Sequence, residues 1–419
     1  MPSETGRAGF VHRTGCRGCG ATDLERILSL GPTPLANAFL RSPEEFAAER
    51  TYPLDLYFCH RCSLLQLLDV VSPDVLFRDY VYVTGTSTTM AAHNEAYARG
   101  VVEQLGLGAG DLVVEIASND GSLLRCFAPY GVRTLGVEPA RNIAADAVAA
   151  GIETVSEFFT STLARTLREE RGAARAVLAN NVLAHVDDPR DFLAGCRDLL
   201  ADDGLVTIEV PTVGELVDRV EYDTIYHEHL SYFSIAALLR LCEAAGLSAL
   251  RIDRLPVHGG SMRLYLSRSA RGHAPEVRDL EAAERKAGLA EVARYRRFAA
   301  EVNESRDVLV ALLEQLAAAG RRVVGYGAPA KGNTLLNFCR IDRRLLGYTV
   351  DKNPRKVGMY TPGAHIPVRE VSALCAGGQV PDYVLILAWN LAGEIMQQQQ
   401  AVRDGGGRFI IPVPRAKVV

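Results

Sequence analysis

Two Cys-x-x-Cys pairs, Cys16 with Cys19 and Cys59 with Cys62, give the clearest chemical signal near the start of the sequence. Each pair places two thiolates on one tight turn, and two such turns can share a tetrahedral zinc ion at about 2.3 Å from each sulfur. Four sulfur ligands leave no open coordination position, so the predicted Zn²⁺ is structural. The alternative is four ordinary buried or free cysteines. The total of nine cysteines is odd, which argues against a disulfide framework.

A second cluster of reactive side chains lies in residues 222–234, which read YDTIYHEHLSYFS. The stretch holds three tyrosines, two histidines and Glu228. Because a buried polar group costs free energy unless it is paired, this density indicates general acid–base chemistry. A solvated loop and a tyrosine-rich core are the alternatives. A metal site is disfavoured here because no third ligand has an evident spacing.

Residues 112–127, LVVEIASNDGSLLRCF, have the pattern of a strand, a turn of small residues and a helix. A turn of this kind lies at the carboxyl end of a parallel strand, where such sheets bind ligands. It lacks the GxGxxG pattern of dinucleotide sites and carries Glu115 and Asp120 instead. Two carboxylates disfavour a pyrophosphate and favour the sulfonium and ammonium groups of S-adenosylmethionine (SAM). A plain α/β domain with a chance glycine turn is the alternative.

Two later stretches complete the predicted SAM pocket. Glu138 ends the next strand, about twenty residues after the turn, where an acidic side chain can accept hydrogen bonds from ribose hydroxyls. Asn180, Asn181 and His185 follow a further strand at the same sheet edge. The predicted cofactor-binding residues are Glu115, Ala117, Asn119, Asp120, Gly121, Glu138, Pro139, Asn180, Asn181 and His185.

Residues 325–338, GYGAPAKGNTLLNF, predict a glycine-rich turn with Lys331 between a strand and a helix. Such a turn offers backbone N–H groups and a helix dipole to a phosphate. The next strand ends in Asp351, and Lys352, Arg355 and Lys356 follow it as a local basic cluster. A solvated run of charges is the alternative interpretation.

The rest of the chain must supply the layers that position these groups. A length of 419 residues predicts several domains, and 48% hydrophobic with 23% charged residues excludes a mainly disordered, collagenous or coiled-coil protein. Alternating strand and helix patterns predict parallel sheets, with one or two long helices over 276–319. A net charge of −4 gives no overall attraction for nucleic acid or anionic membranes. With no signal-peptide core and no apolar span of about 20 residues, we expect a cytoplasmic protein.

Together these motifs resemble the sugar C-methyltransferases of deoxysugar pathways in antibiotic-producing actinobacteria, the TDP-4-keto-deoxysugar C-3′-methyltransferase family. The late stretch VDKNPRKVGMYTPGAHIPV adds to the likeness, which spans almost the whole chain. The resemblance implies an α/β chain with a class I, Rossmann-like SAM-dependent methyltransferase domain in the middle. A zinc-binding domain precedes it, and a C-terminal Rossmann-like domain that binds the nucleotide sugar follows it. The expected ranges are 1–79, 80–285 and 286–419.

The resemblance also implies that Tyr226, Glu228 and His229, with Tyr80 in FRDYVYVTG, are active-site residues. A 4-keto group acidifies the neighbouring C–H, so His229 can remove the proton and leave an enolate that attacks the methyl group. Glu228 can orient an imidazole or hold a sugar hydroxyl, and the two tyrosines can donate hydrogen bonds to the developing oxyanion. His227 is the rival base.

With this family likeness, the C-terminal cluster is predicted to contact the TDP part of the substrate. The substrate-binding residues expected are His258, Lys331, Asn333, Asp351, Lys352, Arg355 and Lys356. Methylation at carbon 5, seen in some members of the family, is the near alternative. A non-enzymatic zinc-bearing adaptor with a degenerate α/β fold is the alternative from another class. The sequence does not indicate the oligomeric state.

Overall fold

A computed structural model describes residues 9–78, 88–255, 260–378 and 380–419. Two of the predicted site residues, Tyr80 and His258, lie outside the described residues. The first unit is built from β1 (Phe10–His12), β2 (Leu24–Ser29), β3 (Asp55–Cys59), β4 (Leu65–Leu67), β5 (Asp69–Val71) and α1 (Pro73–Phe77). Strands β2, β3 and β4 form an antiparallel sheet, and β1 pairs with β5.

The central unit contains a sheet of seven described strands with helices on both faces. Its elements are α2 (Thr88–Leu105), β6 (Leu112–Ile116), α3 (Ser122–Arg125), β7 (Arg133–Val137), α4 (Arg141–Ala149), β8 (Thr154–Val155), α5 (Ser161–Arg171), β9 (Ala174–Asn180), α6 (Pro189–Leu199), β10 (Leu200–Pro211), α7 (Val213–Asp218), β11 (Ser231–Tyr232), α8 (Ile235–Ala244), β12 (Ser248–Leu255) and β13 (Ser261–Ser267). The strand order is β8-β7-β6-β9-β10-β13-β12, with β13 antiparallel to both of its neighbours. All five residues of β6 are buried, as expected for a parallel strand covered on both faces.

The helix boundaries of the central unit follow from local side chains. Ser234 caps α8, since its hydroxyl accepts the Ala237 N–H at 3.2 Å, and the helix ends before Gly246, whose φ is +74°. Both ends therefore follow from local sequence, a serine before the helix and a glycine after it. Residues 226–229 form the YHEH segment. The strand β11 follows this segment and pairs with β4 of the first unit instead of with the central sheet. The YHEH segment is therefore held at the junction of two units.

Two long helices, as predicted over 276–319, follow the central sheet, and a mostly parallel sheet forms the last unit. The elements in chain order are α9 (Pro275–Lys286), α10 (Val292–Ala318), β14 (Val323–Tyr326), α11 (Ala330–Phe338), β15 (Thr349–Val350), β16 (Val368–Arg369), β17 (Tyr383–Ile386), α12 (Ala392–Gln398), α13 (Gln400–Asp404), β18 (Arg408–Ile411) and β19 (Lys417–Val418). Helix α9 packs on α8 and β12 of the central unit. The strand order is β16-β15-β14-β17-β18-β19, and only β19 of these runs antiparallel to its neighbour. None of the helices described is long and apolar enough to cross a bilayer.

Short 3₁₀ turns connect several of these elements. They lie at Pro43–Ala48, Ala128–Tyr130, Leu183–His185, Tyr222–Thr224, Val371–Gly378 and Trp389–Leu391. The turn at Leu183–His185 follows β9, and the turn at Tyr222–Thr224 precedes the YHEH segment. Both therefore lie close to predicted site residues.

One hydrophobic core joins the first unit, the segment around the YHEH motif and the last unit. It contains Phe58 of β3, Tyr222, and Tyr295 of α10, and the Phe58 and Tyr295 ring centroids are 5.1 Å apart. A separate core packs against the central sheet and includes or contacts the four cysteines of the N-terminal pairs. Because each core crosses a boundary between units, the three units can hold one site between them.

Candidate functional site

A cavity of about 920 Å³ lies where the three units meet. Its walls come from the carboxyl ends of β6, β7, β9 and β10, from the YHEH segment, and from the start of α11. Asn37 of the first unit also lines it. The carboxyl edge of a parallel sheet is the usual ligand site in such folds, and the cavity lies at that edge.

The four cysteines of the two Cys-x-x-Cys pairs converge beside the cavity. Their sulfur atoms all lie within 4.8 Å of one another, with Cys16 and Cys62 at 3.5 Å and Cys19 and Cys59 at 3.6 Å. A tetrahedron with bonds of about 2.3 Å has sulfur–sulfur edges of about 3.8 Å, so the geometry fits a zinc ion.

The end of the cavity that is predicted to bind SAM carries buried acidic side chains whose oxygen atoms are only partly hydrogen-bonded. Burial, together with the charges of Glu138 and Asp120, raises the pKa of Glu115 well above its ordinary value. The Oε2 atom of Glu115 has no hydrogen-bond partner among the described residues. A buried carboxylate with a spare acceptor fits a cationic ligand such as the ammonium or sulfonium of SAM.

Glu138 accepts a hydrogen bond from the turn that follows β6, and it also lines the cavity. Its Oε2 accepts the Asn119 N–H at 2.9 Å, and its Oε1 accepts the Ala140 N–H at 2.8 Å. Each carboxylate oxygen keeps a second lone pair, so both can still accept from ribose hydroxyls. Burial raises the pKa of Glu138, and the two amide hydrogen bonds oppose that shift.

Eight of the predicted SAM residues line the cavity: Glu115, Ala117, Asn119, Glu138, Pro139, Asn180, Asn181 and His185. Asp120 and Gly121 are not among the described lining residues. The Asp120 carboxylate accepts the Ser122 N–H at 3.2 Å and so shapes the turn. Gly121 has a φ of +72°, and a Cβ there would lie 2.9 Å from Ile152, so only glycine fits.

His229 lines the cavity with its ring in a defined tautomer. Its Nδ1 lies 2.7 Å from the carbonyl oxygen of Thr224, which can only accept a hydrogen bond. A neutral His229 therefore carries its hydrogen on Nδ1 and its lone pair on Nε2. The ring centroids of Tyr226 and His185, which also line the cavity, lie 4.1 Å and 4.8 Å from that of His229.

His227 occupies a different environment from His229. Its Nε2 lies 3.1 Å from the Pro53 carbonyl oxygen and 3.3 Å from that of Tyr52, and the residue is 1% exposed. Burial lowers the pKa of His227 to about 4 and that of His185 to about 4 as well. His227 is not among the described lining residues, so its position fits an anchor between units better than a base.

Glu228 also faces the first unit. Its Oε1 accepts a hydrogen bond from Asn37 Nδ2 at 2.7 Å, and the side chain is buried. Asn37 lines the cavity, whereas Glu228 is not among the lining residues described. Glu228 thus positions Asn37, a contact that joins residues far apart in the sequence.

The C-terminal end of the cavity carries two of the predicted basic residues, Lys331 and Lys356. Lys356 donates to the Ala328 carbonyl at 2.8 Å, and burial lowers its pKa. Lys331 lies in the first turn of α11 rather than in the preceding turn, with Nζ 4.6 Å from the Trp389 ring centroid. Lysine ammonium groups at this end suit an anionic ligand.

Four other predicted substrate residues are not among the described residues of the cavity wall. Asn333 is buried and donates to the Ala36 carbonyl at 2.7 Å. Asp351 accepts the N–H groups of Ala328 and Asn353, Lys352 donates to Gln398, and Arg355 is exposed. The structure gives Asn333 and Asp351 scaffold contacts and places the other two at the surface.

Several lining residues were missed in the sequence. Glu209, at the end of β10, is buried against Arg263 of β13 and lies 3.4 Å from His93 of α2. Burial opposes the ionisation of Glu209, but His93 and Arg263 outweigh it and lower the pKa. The position of Glu209 just before the end of a predicted strand was the available signal. Asn37 and Glu221 also line the cavity, and no local pattern marks them.

The strand order of the central sheet and the acidic ligand turn are those of class I SAM-dependent methyltransferases. Three family models match the chain: a zinc binding domain over 16–77, a methyltransferase domain over 90–252, and a C-methyltransferase C-terminal domain over 256–414. The chain is 39% identical over 406 residues to the C-methyltransferase NovU of Streptomyces niveus, covering 96% of each protein. The chain belongs to this C-methyltransferase family.

Solved structures resemble part of the chain at low identity. Magnesium protoporphyrin IX methyltransferase of Synechocystis PCC 6803, with bound S-adenosylhomocysteine (SAH), is 15% identical, with a TM-score of 0.34 over 43% of this chain and 83% of that one. The CcbJ methyltransferase of Streptomyces caelestis is 14% identical, with a TM-score of 0.34 over 42% of this chain and 90% of that one. The family models and the relative at 39% identity identify the chain as a SAM-dependent methyltransferase with a zinc-binding domain.

Proposed function

We propose that this enzyme transfers the methyl group of SAM to carbon 3 of a TDP-linked 4-keto-deoxysugar. The observation that carries the proposal is the position of His229, fixed through Nδ1 on Thr224, in a cavity with acidic and basic ends. The acidic end suits the cationic cofactor, and Lys331 and Lys356 suit the TDP phosphates. A reducing compartment keeps the four zinc-binding thiols available, so the cytoplasm is the proposed location.

In this mechanism His229 is the general base. Its Nε2 takes the proton from the carbon next to the keto group, and the electron pair left behind forms an enolate. SAM, when bound, supplies a methyl group on a positively charged sulfur. The enolate carbon forms the new C–C bond as the methyl–sulfur bond breaks, and the keto group is restored. Tyr226 donates a hydrogen bond to the developing oxyanion, and Tyr80 is proposed for the same role.

Deuterium exchange tests this proposal directly. The enzyme is incubated in D₂O with a TDP-linked 4-keto-6-deoxyhexose and SAH, which cannot donate a methyl group. NMR should show exchange at carbon 3, and replacing SAH with SAM should place the methyl group on the same carbon. Exchange and methylation at carbon 5 would show that the enzyme acts on the other carbon next to the keto group. No exchange at either carbon would refute enolate chemistry.

A further inference from the structure

Two acidic residues just before the YHEH segment, Glu221 and Asp223, are almost completely buried. Glu221 is 4% exposed and lines the cavity, and Asp223 is 0% exposed. The Oε1 atom of Glu221 and the Oδ1 atom of Asp223 have no hydrogen-bond partner in the described parts of the chain. A buried carboxyl oxygen without a donor is costly, so this pair lacks donors that a ligand could supply.

The groups around this pair satisfy it only in part. Trp389 donates from Nε1 to Asp223 Oδ2 at 2.6 Å, and the charge of Lys331 acts on both carboxyl groups. Burial nevertheless raises the pKa of Asp223 and raises that of Glu221 to about 7. One lysine therefore does not compensate for two buried acids. Of the two, Glu221 is the one that borders the cavity.

Glu221 is also tied to the proposed base through one residue. Thr224 donates from its N–H to the Glu221 carbonyl at 3.0 Å, and the Thr224 carbonyl accepts from His229 Nδ1 at 2.7 Å. When the reacting carbon of a ligand lies at His229, the substituents on its neighbouring carbons lie near residues 221–224, whose backbone is held by these two hydrogen bonds. A phosphate is disfavoured beside this pair because it would add negative charge next to two acids.

We propose that Glu221 recognises the sugar ring by accepting a hydrogen bond from a hydroxyl or ammonium substituent. This inference rests on the proposed function, because it assumes that the sugar occupies the cavity next to His229. Glu221 then selects among sugars that differ in their hydroxyl and amino groups. Asp223, whose Oδ2 is held by Trp389 Nε1, is a positioning residue behind Glu221.

Calorimetry with three ligands separates this role from others. We would measure the affinities of TDP, a TDP-linked 4-keto-6-deoxyhexose and SAH for the wild type, Glu221→Gln and Glu221→Ala. A hydrogen bond to a charged group is worth a factor of roughly 10 to 100 in affinity. We expect Glu221→Ala to weaken the sugar nucleotide by about that factor and Glu221→Gln by less, because glutamine keeps an acceptor oxygen. TDP and SAH should bind as before.

Asp218→Asn is the matched control. Asp218 lies on α7, its carboxylate pairs with Arg294 at 2.7 Å, and it is not among the described lining residues. This variant should bind all three ligands as the wild type does. Trp389, the only tryptophan of the chain, gives a second readout, because its emission should change when the sugar nucleotide binds beside Lys331.

The remaining outcomes overturn the inference in distinct ways. Equal weakening of TDP and of the sugar nucleotide by Glu221→Ala would assign Glu221 to the nucleotide instead of the sugar. Unchanged binding of both would show that Glu221 does not touch the ligand. If the wild type binds neither TDP nor the sugar nucleotide, the proposed function itself fails and the inference falls with it.

Discussion

The central sheet and the C-terminal sheet use an acidic residue after their second strand in the same way. Glu138 accepts the Asn119 N–H at 2.9 Å and the Ala140 N–H at 2.8 Å. Asp351 accepts the Ala328 N–H at 2.6 Å and the Asn353 N–H at 2.8 Å. In each unit, one carboxylate oxygen holds the turn after the first strand, and the other holds the chain just beyond the acid itself.

The charges beside the two turns are opposite. Glu115 and Asp120 accompany the central turn, whereas Lys331 and Lys356 accompany the C-terminal turn. Glu138 itself lines the cavity, and Asp351 is not among the described residues that do. The comparison teaches that a shared topology builds the turn and that the neighbouring charges select the ligand. We therefore expect a cation at the central end and an anion at the C-terminal end.

Removing zinc should have the largest effect, because the first unit supports both ends of the cavity. Arg17, between Cys16 and Cys19, donates to Asp187 at 3.0 Å beside the central end, and Asn37 contacts Glu228. Structural zinc contributes about 10 kcal/mol or more to folding in small domains. Metal analysis should find one zinc per chain, and Cys62→Ser should lose zinc and the binding of both SAH and TDP.

Cys375→Ser, which changes a cysteine of the last unit, is the control for the zinc experiment and should keep metal and both ligands. A zinc-free protein that binds SAH and TDP with normal affinity would show that the first unit does not support the cavity. Loss of one ligand alone would show that it supports only one end.

The sequence was sufficient for features that depend on neighbouring residues. The strands, the acidic turn and the cysteine pairs all follow from local spacing, and the structure confirms them. The family likeness identified the YHEH segment, and the structure places His229 and Tyr226 on the cavity.

Contacts between distant residues could not be predicted in this way. No local pattern pairs Asn37 with Glu228 or Arg17 with Asp187, since each pair forms only when separate units pack together. Arg263 meets Glu209 through the pairing of β13 with β10 within the central sheet, which is also a contact between residues far apart in the sequence. The hydrogen bond from Asn333 to the Ala36 carbonyl of the first unit is also a contact between distant residues. The local sequence around Asn333 does not indicate it and predicts a substrate contact instead. Of the predicted basic cluster, Lys331 and Lys356 line the cavity, whereas Lys352 lies at the surface.

Replacing the proposed base should stop chemistry without disturbing either end of the cavity. We expect His229→Asn to slow both methyl transfer and exchange of the substrate proton by about 10²- to 10⁴-fold, the usual contribution of a general base. SAH and TDP affinities, measured by calorimetry, should be unchanged. His227→Asn is the control, and it should retain exchange because that ring contacts backbone carbonyls of the first unit. The roles reverse if exchange survives in His229→Asn and is lost in His227→Asn.

The two acids offer a symmetric test of the comparison itself. Glu138→Ala should weaken SAH by roughly 10- to 100-fold, because hydrogen bonds from ribose hydroxyls to a charged acceptor are lost. TDP binding should not change in this variant. Asp351→Ala should do the reverse, since the loosened turn lies beside Lys331 and Lys356. The proposed division of ligands is wrong if each variant weakens both ligands equally.

The basic end can be probed with a matched pair of lysines. Lys356→Gln removes a half-buried charge at the cavity and should weaken TDP by about 10-fold, with the loss shrinking at high salt. Lys352→Gln removes an exposed charge that contacts Gln398, and its TDP affinity should match the wild type. Equal effects of the two changes would mean that overall charge, and not the position of Lys356, attracts the nucleotide.

The smallest effect on ligands is expected at Glu284, a buried acid that serves the fold instead of the cavity. Its carboxylate accepts the Ile235 N–H at 2.6 Å at the start of α8, and burial raises its pKa from 4.5 to about 7. The folded chain thus keeps a proton that the unfolded chain releases at lower pH, so this contribution to stability is lost as the pH rises from about 4.5 to about 7. Urea midpoints of the wild type should fall across that range, and Glu284→Gln should flatten the decline because its amide carbonyl still accepts from Ile235. SAH and TDP should bind this variant normally, whereas an unchanged slope would assign the pH dependence to other buried acids, such as Glu221, whose pKa is also raised to about 7.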